Sequence, residues 1–484
     1  MSNDGFELVI GIEVHVQLKT NSKLFCGCGT KFSSADNENT CPVCLGLPGA
    51  LPVLNEKAVD YAVRTGLALN CKIAKESVFS RKNYFYPDSP NGYQISQYDK
   101  PICGRGYLNI RLSDGSFKKV GITRAHLEAD AGKSTHHGNY SLINLNRSSM
   151  PLLEVVSDPD LRSASEAATY VRSLRSLVQY LDVCDGNLEE GSLRADCNVS
   201  VRKFGATEFG TRVELKNINS FRFIEKAIDY ERARQVDLIL SGNAADIVQE
   251  TRLYDSDKNK TYSMRSKEEA EDYRYFPEPD LKPCYLSDDF ILSRKKLVPE
   301  LANDRAARFI SNYKLSDYDA YSLVDSRQLA DYFEECLAYC KNPKAVANWI
   351  LSELLRRLND SNQSIEGSRI CSAKLGQLVD LVDKKVISGK IAKTVFAEMW
   401  QTKSSASDII DKLGLKQISD ENEVLKIAKS IVDANPKQLE EYRSGKEKVF
   451  GFFVGQVMKK TNGQVEPGLL NKLLKEILNS TEST

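Results

Sequence analysis

The chain has 484 residues, and its 66 basic and 66 acidic side chains give a formal net charge of zero. Its length predicts two to four domains, and its 41% hydrophobic and 27% charged content is typical of a soluble globular protein. The zero net charge excludes a generally basic nucleic-acid binder, so any such binding needs a local patch. No apolar run is long enough for a membrane helix, and the polar first residues favour neither a signal nor a transit peptide. We therefore expect a cytoplasmic protein.

The first predicted strand covers residues 11–17 and alternates apolar with polar side chains. Glu13, His15 and Gln17 therefore share one face of the strand. A carboxylate and an imidazole side by side suit a divalent cation. For this strand taken alone, a polar face turned to solvent is the simpler alternative.

Four cysteines follow in a CxC pair and, twelve residues later, a CxxC pair: Cys26, Cys28, Cys41 and Cys44. Four thiolates close in sequence predict a tetrahedral zinc site. The site would be structural, because four thiolates leave no open position for a substrate. Four unrelated reduced cysteines are the alternative.

A helix is predicted to begin at Asn55 as its N-cap, and residues 80–97 then form a segment rich in aromatics, prolines and amides. Two prolines and the Asn91-Gly92 pair exclude a helix here and indicate a rigid loop flanked by short strands. Such loops often form binding surfaces, although a purely structural loop is equally compatible with the pattern.

A hairpin around residues 113–115 is predicted to lead into a second strand with a polar face, and a third strand-like segment ends in Glu154. A capping box at Ser163 and Glu166 predicts a helix to residue 182, and a second helix is predicted for residues 221–240. Two further alternating strands lie between these helices. Up to about residue 295, this pattern indicates an α+β domain with a mostly antiparallel sheet.

Four strands therefore offer ionisable faces, which carry Glu13 and His15; His126, Glu128 and Asp130; Arg194 and Asp196; and Arg212, Glu214 and Lys216. Carboxylates that converge without a cation would repel one another. Mg²⁺ prefers oxygen ligands and bridges to phosphate, while Arg and Lys neutralise a transferring phosphoryl group. These residue types favour phosphoryl transfer to an acid. The chain contains no Walker A loop, kinase glycine loop or GxSxG elbow.

After residue 301 the pattern is helical throughout, and the last predicted helical segment covers residues 445–460. Gly451 and Gly455 are four residues apart in this segment, and close helix packing is the simplest explanation for them. Lysines lie beside them, and a turn is predicted at 462–463. A small phosphate-binding patch is the alternative, formed by Lys446, Lys448, Lys459 and Lys460.

Six long segments resemble the B-subunit family of the aspartyl/glutamyl-tRNA amidotransferases: GIEVHVQL, SVFSRKNYFYPDSPNGYQISQYDKPI, HLEADAGK, NRSSMPLLEVVSDPD, DGNLEEGSLRADCNVSV and VELKNINSFRFIEKAIDYE. The resemblance extends over essentially the whole chain. It implies an α+β fold in which an antiparallel sheet domain, similar to glutamine synthetase, precedes all-α helical domains. The implied divisions are a catalytic domain at 1–295 that includes the zinc loop, a helical domain at 296–405 and a tRNA-binding tail at 406–484.

The resemblance also implies an activity. ATP would phosphorylate the side-chain carboxylate of Glu on tRNA-Gln, or of Asp on tRNA-Asn, and ammonia would displace the phosphate. The ammonia would come from the amidase A-subunit of the family, with a small C-subunit completing a heterotrimer.

Carried onto this chain, the resemblance makes Glu13, His15, Glu128 and Glu214 the catalytic residues and Mg²⁺ ligands, with Asp196 as a fifth ligand. The cations expected to hold ATP are Arg81, Lys82, Lys133, Arg194 and Lys216. The four cysteines match the members of the family that carry zinc, and the four tail lysines would contact the misacylated tRNA.

Two other functions fit parts of the sequence. A non-catalytic tRNA-binding scaffold would not need the two strands that carry Glu and His. A free-standing carboxylate–amine ligase for a small acid would not need the helical, lysine-bearing tail.

Overall fold

The computed structural model describes residues 5–31, 35–266, 273–415, 420–461 and 464–480. The turn predicted at 462–463 lies outside these residues. The chain divides into two compact units, Met1–Leu301 and Ala302–Thr484. Within the described ranges, no helix combines the length and the apolar character needed to cross a bilayer.

The first unit contains the sheets. Its strands are β1 (Phe6–Gln17), β2 (Glu76–Ser77), β3 (Ser80–Asn83), β4 (Tyr93–Ser96), β5 (Gly106–Arg111), β6 (Phe117–Ala129), β7 (Lys133–His137), β8 (Tyr140–Asn144), β9 (Pro151–Ser157), β10 (Leu193–Lys203), β11 (Val213–Lys216), β12 (Glu250–Asp255), β13 (Lys260–Ser266), β14 (Phe276–Pro277) and β15 (Cys284–Tyr285). Eight of them form the main sheet in the order β13-β12-β11-β10-β1-β9-β6-β5. Its pairings are antiparallel except for the parallel pair β11–β12.

The helices of the first unit are α1 (Glu56–Ala68), α2 (Ala164–Tyr180), α3 (Phe221–Leu240) and α4 (Asp288–Lys295). The predicted caps of α1 and α2 are confirmed. The Asn55 side chain accepts a hydrogen bond from the Lys57 N–H, and the Ser163 side chain accepts one from the Glu166 N–H. Each cap satisfies a backbone donor that the helix itself leaves unpaired.

One face of the main sheet is covered by helices. The apolar side chains of β1 pack with those of α1, α2 and α3 in one buried core. Along β1, Ile12, Val14 and Val16 belong to this core, so the alternating Glu13 and His15 point to the opposite face. The ionisable side chains of the sheet therefore lie on the face opposite these helices.

A β-bulge at Thr123 sets the direction of the side chains on β6. Val120 and Ile122 are buried in the core before it, and Ala125 and Leu127 are buried after it. The core positions therefore change from even to odd numbers where the register with β9 shifts. A bulge inserts one extra residue and so re-aims the side chains beyond it. It places the later even-numbered side chains of β6 on the polar face.

The second unit is helical. Its helices are α5 (Ala302–Tyr313), α6 (Asp317–Leu323), α7 (Arg327–Cys336), α8 (Pro343–Trp349), α9 (Leu355–Asp360), α10 (Ser372–Asp383), α11 (Gly389–Thr402), α12 (Ala406–Leu413), α13 (Glu421–Asp433), α14 (Pro436–Arg443), α15 (Phe450–Lys460) and α16 (Pro467–Asn479). A five-residue π-helical segment, Ile350–Leu354, joins α8 to α9. Near the C-terminus, α13, α15 and α16 share a buried core of Val, Leu, Ala and Phe side chains.

The α+β class predicted from the sequence is confirmed, with a helical region after the sheet domain. The explanation of Gly451 and Gly455 by close helix packing is wrong. A Cβ built at either position meets nothing within 4 Å, and both glycines are exposed. These glycines therefore leave a bare stretch of backbone on the surface of α15.

Candidate active site

The polar face of the main sheet carries a row of ionisable side chains. His15 on β1 lies between Arg194 on β10 and Glu154 on β9, and Glu154 pairs in turn with His126 on β6. Glu128 lies two residues beyond His126 on the same face. Side chains directly opposite one another on neighbouring strands are close enough to interact.

Two imidazoles and two carboxylates interleave at the centre of this face, and we call these four residues the His/Glu cluster. His15 Nε2 is 3.2 Å from Glu128 Oε1 and 3.4 Å from Glu154 Oε2. His126 Nε2 is 3.5 Å from Glu154 Oε2 and 3.8 Å from Glu128 Oε2. Ser96 on β4 also donates a hydrogen bond to Glu128.

The cluster holds its charges in a buried setting. Burial lowers the pKa of His15, but its hydrogen bonds with Glu128 and Glu154 outweigh burial and raise that pKa well above the ordinary value. Burial raises the pKa of Glu128, whereas hydrogen bonds from His126 and His15 hold it well below the ordinary value. Burial raises the pKa of Glu154, but the charge of His126 and the hydrogen bond from His15 outweigh burial and lower this pKa to about 2. Both carboxylates are therefore ionised.

The donors of the cluster suit a divalent cation. His15, Glu128 and Glu154 can each offer one ligand atom, and these three atoms lie within 4.8 Å of one another. The Nδ1 atom of His126 is buried and has no hydrogen-bond partner among the described residues. The two carboxylates suit Mg²⁺ or Mn²⁺, and the His15 imidazole can add a nitrogen ligand once a bound cation displaces its proton.

The remaining predicted Mg²⁺ ligands lie in a second group around Lys216. The Lys216 ammonium is 3.0 Å from Asp196 and 3.6 Å from Glu214. Thr251 donates a hydrogen bond to Glu214. Burial lowers the pKa of Lys216, but Asp196, Glu214 and Glu13 raise it well above the ordinary value. In this group a lysine supplies the positive charge that balances the acids.

Glu13 lies opposite Asp196 in the sheet and accepts a hydrogen bond of 2.9 Å from Asn198. The structure thus divides the predicted ligand set. His15 and Glu128 lie together with Glu154, whereas Glu13, Asp196 and Glu214 lie in the group that surrounds Lys216.

Among the cations predicted to hold ATP, Lys82 interacts electrostatically with the carboxylates of the His/Glu cluster. Its ammonium is 4.6 Å from the ring centroid of Tyr273. Burial lowers the pKa of Lys82, but Tyr275, Glu128, Tyr273 and Glu154 raise it well above the ordinary value. Lys82 therefore brings a fixed positive charge to the same side of the sheet.

Arg81, also predicted to hold ATP, is bound by a carboxylate of the protein itself. Its guanidinium forms two hydrogen bonds to the fully buried Glu278, at 2.7 and 2.8 Å, and lies 4.2 Å from the ring centroid of Tyr93. These contacts link β3 to the segment after β14, and the ATP-binding role of Arg81 stays a prediction.

Arg194 and Lys133 were also predicted to hold ATP, and this role stays a prediction for both. Arg194 forms an ion pair of 2.9 Å with the buried Asp130. Lys133 is exposed at the start of β7, in the separate two-stranded sheet that β7 forms with β8. Neither side chain contacts the His/Glu cluster among the described residues.

The four predicted zinc ligands come together. Cys26, Cys28, Cys41 and Cys44 place their sulfur atoms within 4.8 Å of one another. The hydrogen bond from Cys26 lowers the pKa of Cys44 to about 4 and raises that of Cys26. The buried Lys23 ammonium is 3.5 Å from Cys44 Sγ. Four converging thiols beside a buried cation fit a closed, structural zinc site.

The tail lysines are all exposed. Lys446 is 3.4 Å from Glu441, and Lys460 donates a hydrogen bond of 3.0 Å to Ser430. Lys448 lies in the short helical turn before α15, and Lys459 in its last turn. The exposed Gly451 and Gly455 lie between these two lysines.

Two residues of the His/Glu cluster were missing from the predicted site. The sequence marked Glu154 only as the end of a strand, and it placed His126 on a polar face without a role. Glu154 enters the site because β9 inserts between β1 and β6. An alternating pattern gives the face of each strand but not the order of strands, so periodicity alone carried no signal for this contact.

Two family models match the chain. Residues 8–292 match the GatB/GatE catalytic domain, and residues 331–478 match the GatB domain. The first match includes the polar face of the sheet and the four cysteines, and the second includes the tail lysines.

Similar proteins cover the chain from end to end. A Bdellovibrio bacteriovorus protein is 56% identical over 479 residues, which are 99% of this chain and 100% of its own length. Proteins of Trichlorobacter lovleyi and Thermodesulfovibrio yellowstonii are 54% and 53% identical over 474 residues, 98% of this chain and 99% of theirs. Each of the three is named as the B subunit of an aspartyl/glutamyl-tRNA(Asn/Gln) amidotransferase. The chain therefore belongs to the family of aspartyl/glutamyl-tRNA amidotransferase B subunits.

Proposed function

We propose that this chain activates and amidates the side-chain carboxylate of Glu on tRNA-Gln, or of Asp on tRNA-Asn, as one component of the tRNA-dependent amidotransferase. The observation that carries the proposal is the His/Glu cluster, four ionisable side chains set against one another on a sheet face in a chain of this family. A scaffold that only binds tRNA has no use for this arrangement.

The chemistry requires activation because a carboxylate is a poor electrophile. A side-chain oxygen of the substrate attacks the γ-phosphorus of ATP, the bond from that phosphorus to the β,γ-bridging oxygen breaks, and ADP leaves with the electron pair. Ammonia then adds to the acyl carbon, the bond from carbon to phosphate oxygen breaks, inorganic phosphate leaves and the nitrogen loses a proton. The products are the amide, ADP and phosphate.

The His/Glu cluster is the best place for the metal that such a reaction uses. His15, Glu128 and Glu154 would hold Mg²⁺, which when bound neutralises charge on the phosphate oxygens. Glu128 is held in place by Ser96, and the fixed charge of Lys82 lies nearby. These residues orient the phosphate and offset its charge without rearranging during the reaction.

The second group, around Lys216, would supply further ligands for the metal that the reaction uses. Glu13, Asp196 and Glu214 are ordered by Asn198, Lys216 and Thr251. These three acids would hold a second Mg²⁺, which when bound would neutralise further charge on the phosphate oxygens. Lys216, which is paired with Asp196 and Glu214, would add a fixed positive charge beside these acids.

The ammonia would come from glutamine hydrolysed by the amidase A-subunit, with the small C-subunit completing the complex. This part of the proposal is supported by membership of a family whose relatives are named as B subunits. The sequence contains no amidase Ser–Ser–Lys signature of its own, so a separate chain would have to supply the amidase activity.

Trapping the acyl phosphate tests the activation step. The reconstituted complex, given misacylated tRNA and γ-labelled ATP without glutamine, should transfer label to the aminoacyl-tRNA. Hydroxylamine should convert the labelled species to a hydroxamate. Label that appears without charged tRNA would favour a free-standing ligase. Amidation that never produces a hydroxylamine-sensitive phosphate would contradict the proposal.

The exposed lysines beside α15 would contact the phosphate backbone of the tRNA. Gly451 and Gly455 support this role, since both face open space and Gly455, in the middle of α15, costs about 1 kcal/mol relative to Ala. Bare helix backbone between cations lets a phosphate chain approach closely. Contacts of this kind position the RNA without reading its bases.

Replacing Lys446, Lys448, Lys459 and Lys460 with Gln should therefore weaken tRNA binding and leave glutaminase activity intact. The logarithm of the tRNA association constant falls as the logarithm of the salt concentration rises. Each lost phosphate contact should make this slope less steep by about one. Lys472→Gln is the matched control, because Lys472 lies on α16 and pairs with Glu421. A quadruple variant with the wild-type salt slope would remove these lysines from the interface.

A further inference from the structure

Arg124 lies on the polar face of the sheet because of the bulge in β6. It follows the bulged Thr123 directly and precedes His126 by two residues on the same face. Its partner on β9 is Val156, and the next residue in that row is Glu13 on β1. Arg124 thus lies in the row of Glu13, next to the row that holds His15 and Glu154.

The guanidinium of Arg124 is without a partner in the part of the chain that the structure describes. It makes no hydrogen bond, ion pair or ring contact there, and its Nε atom is buried. The other arginines near the site differ. Arg194 also has a buried, unpaired Nε, but one of its terminal nitrogens binds Asp130. Arg81 donates hydrogen bonds from two nitrogens to the two carboxylate oxygens of Glu278.

An unpartnered guanidinium is costly in a half-buried position, because a buried donor without an acceptor loses its hydrogen bonds to water. A native structure that keeps such a donor calls for an explanation, and a ligand that accepts from it is one. The natural ligand for a guanidinium beside a phosphate-transfer site is a phosphate. Its planar fork matches two oxygens of one phosphoryl group.

We propose that Arg124 is a catalytic residue that binds the transferring phosphoryl group. The inference rests on the proposed function and adds a residue to it. Two N–H groups of Arg124 donate to non-bridging oxygens of the γ-phosphate while its bond to ADP breaks and its bond to the substrate carboxylate forms. The same donors hold the phosphate oxygens when ammonia displaces the phosphate from the acyl carbon. Arg124 stays protonated throughout.

Neighbouring cations are less suited to this task. The ammonium of Lys216 is engaged by Asp196 and Glu214, and that of Lys82 faces Tyr273. A lysine is also a point charge that cannot hold two oxygens in a fixed plane. Arg124 combines a half-buried guanidinium with the absence of a partner among the described contacts, which leaves it ready for an incoming anion.

The test compares Arg124→Gln and Arg124→Lys in the reconstituted amidotransferase complex. We expect Arg124→Gln to lower the rate of acyl-phosphate formation about 10²-fold, the usual cost of losing one donor to a developing charge. Arg124→Lys should retain part of the rate. Glutaminase activity and tRNA affinity should not change, since neither involves the phosphoryl group. Arg105→Gln is the control, because Arg105 is exposed and pairs with Asp158 at 3.2 Å.

Chemical rescue separates a direct role from a structural one. Millimolar guanidinium should restore acyl-phosphate formation to Arg124→Ala and leave the wild type and Arg105→Gln unchanged. If Arg124→Gln melts at a lower temperature than wild type, this rescue decides the matter. Absence of rescue, or a rate for Arg124→Gln within threefold of wild type, would overturn the role of Arg124. A wild-type complex that forms no acyl phosphate would instead defeat the proposed function.

Discussion

Replacing Glu128 with Gln should lower ATP-dependent amidation of misacylated tRNA by about 10²- to 10³-fold, the range found when one electrostatic contact to a reacting centre is removed. Gln keeps the shape of the side chain but removes the charge that faces His15 and His126. It also removes one of the three candidate ligands for Mg²⁺. We expect glutaminase activity and tRNA affinity to stay at the wild-type level in the same preparation.

Glu7→Gln is the matched control for this experiment. Glu7 lies on β1 like His15, but it pairs with Arg202 at 2.9 Å and Arg162 at 3.6 Å and is not part of the site. Equal losses in the two variants would mean that a general weakening of the sheet is being measured. Full activity in Glu128→Gln would remove Glu128 from catalysis.

The composition of the polar face could be predicted largely from sequence, strand by strand. The alternation in residues 11–17 placed Glu13 and His15 on one face, and the structure agrees. The pattern after residue 122 likewise placed Glu128 on a polar face. Period-two alternation is local information, because it depends only on the pleat of one strand.

The neighbours of each strand could not be predicted in this way. Glu154 meets His15 because β9 lies between β1 and β6, which is a property of the whole sheet. The bulge at Thr123 was hidden for a related reason. The sequence suggested a hairpin that leads into a separate strand with a polar face, whereas β6 is one strand whose buried side changes at the bulge.

The second unit illustrates the same limit. The helical pattern predicted after residue 301 is confirmed, since caps and apolar stripes are local signals; in α13, Asp420 caps the helix and Val424, Ala428 and Val432 are buried. The glycines of α15 were misread because sequence spacing is the same for a packed and an exposed pair. Only the positions of the neighbouring helices show that Gly451 and Gly455 face solvent.

The second large effect is expected at the four cysteines. Replacing Cys44 with Ser should reduce the zinc content of the purified protein from about one equivalent to well below half. A site of four thiolates loses much of its affinity with one ligand, because zinc prefers a complete tetrahedral sulfur shell. Cys371→Ser is the control, since Cys371 is an exposed cysteine on the second unit. Metal analysis of the two variants beside the wild type gives the answer.

Loss of zinc should also affect the candidate active site. The carbonyl of Cys44 accepts a hydrogen bond from Ser148, and Gly46 lies so close to Asn91 that even a Cβ would collide with it. Asn91 belongs to the loop between β3 and β4, and both of these strands contribute side chains beside Glu128. Because much of the cysteine loop is exposed, a bound zinc ion would add support to these contacts.

We therefore expect Cys44→Ser to lower amidation as well as zinc content, while glutaminase activity persists. Zinc-free protein with full amidation would show that the loop keeps its shape without the metal, and a wild type with less than half an equivalent would remove zinc from this chain altogether.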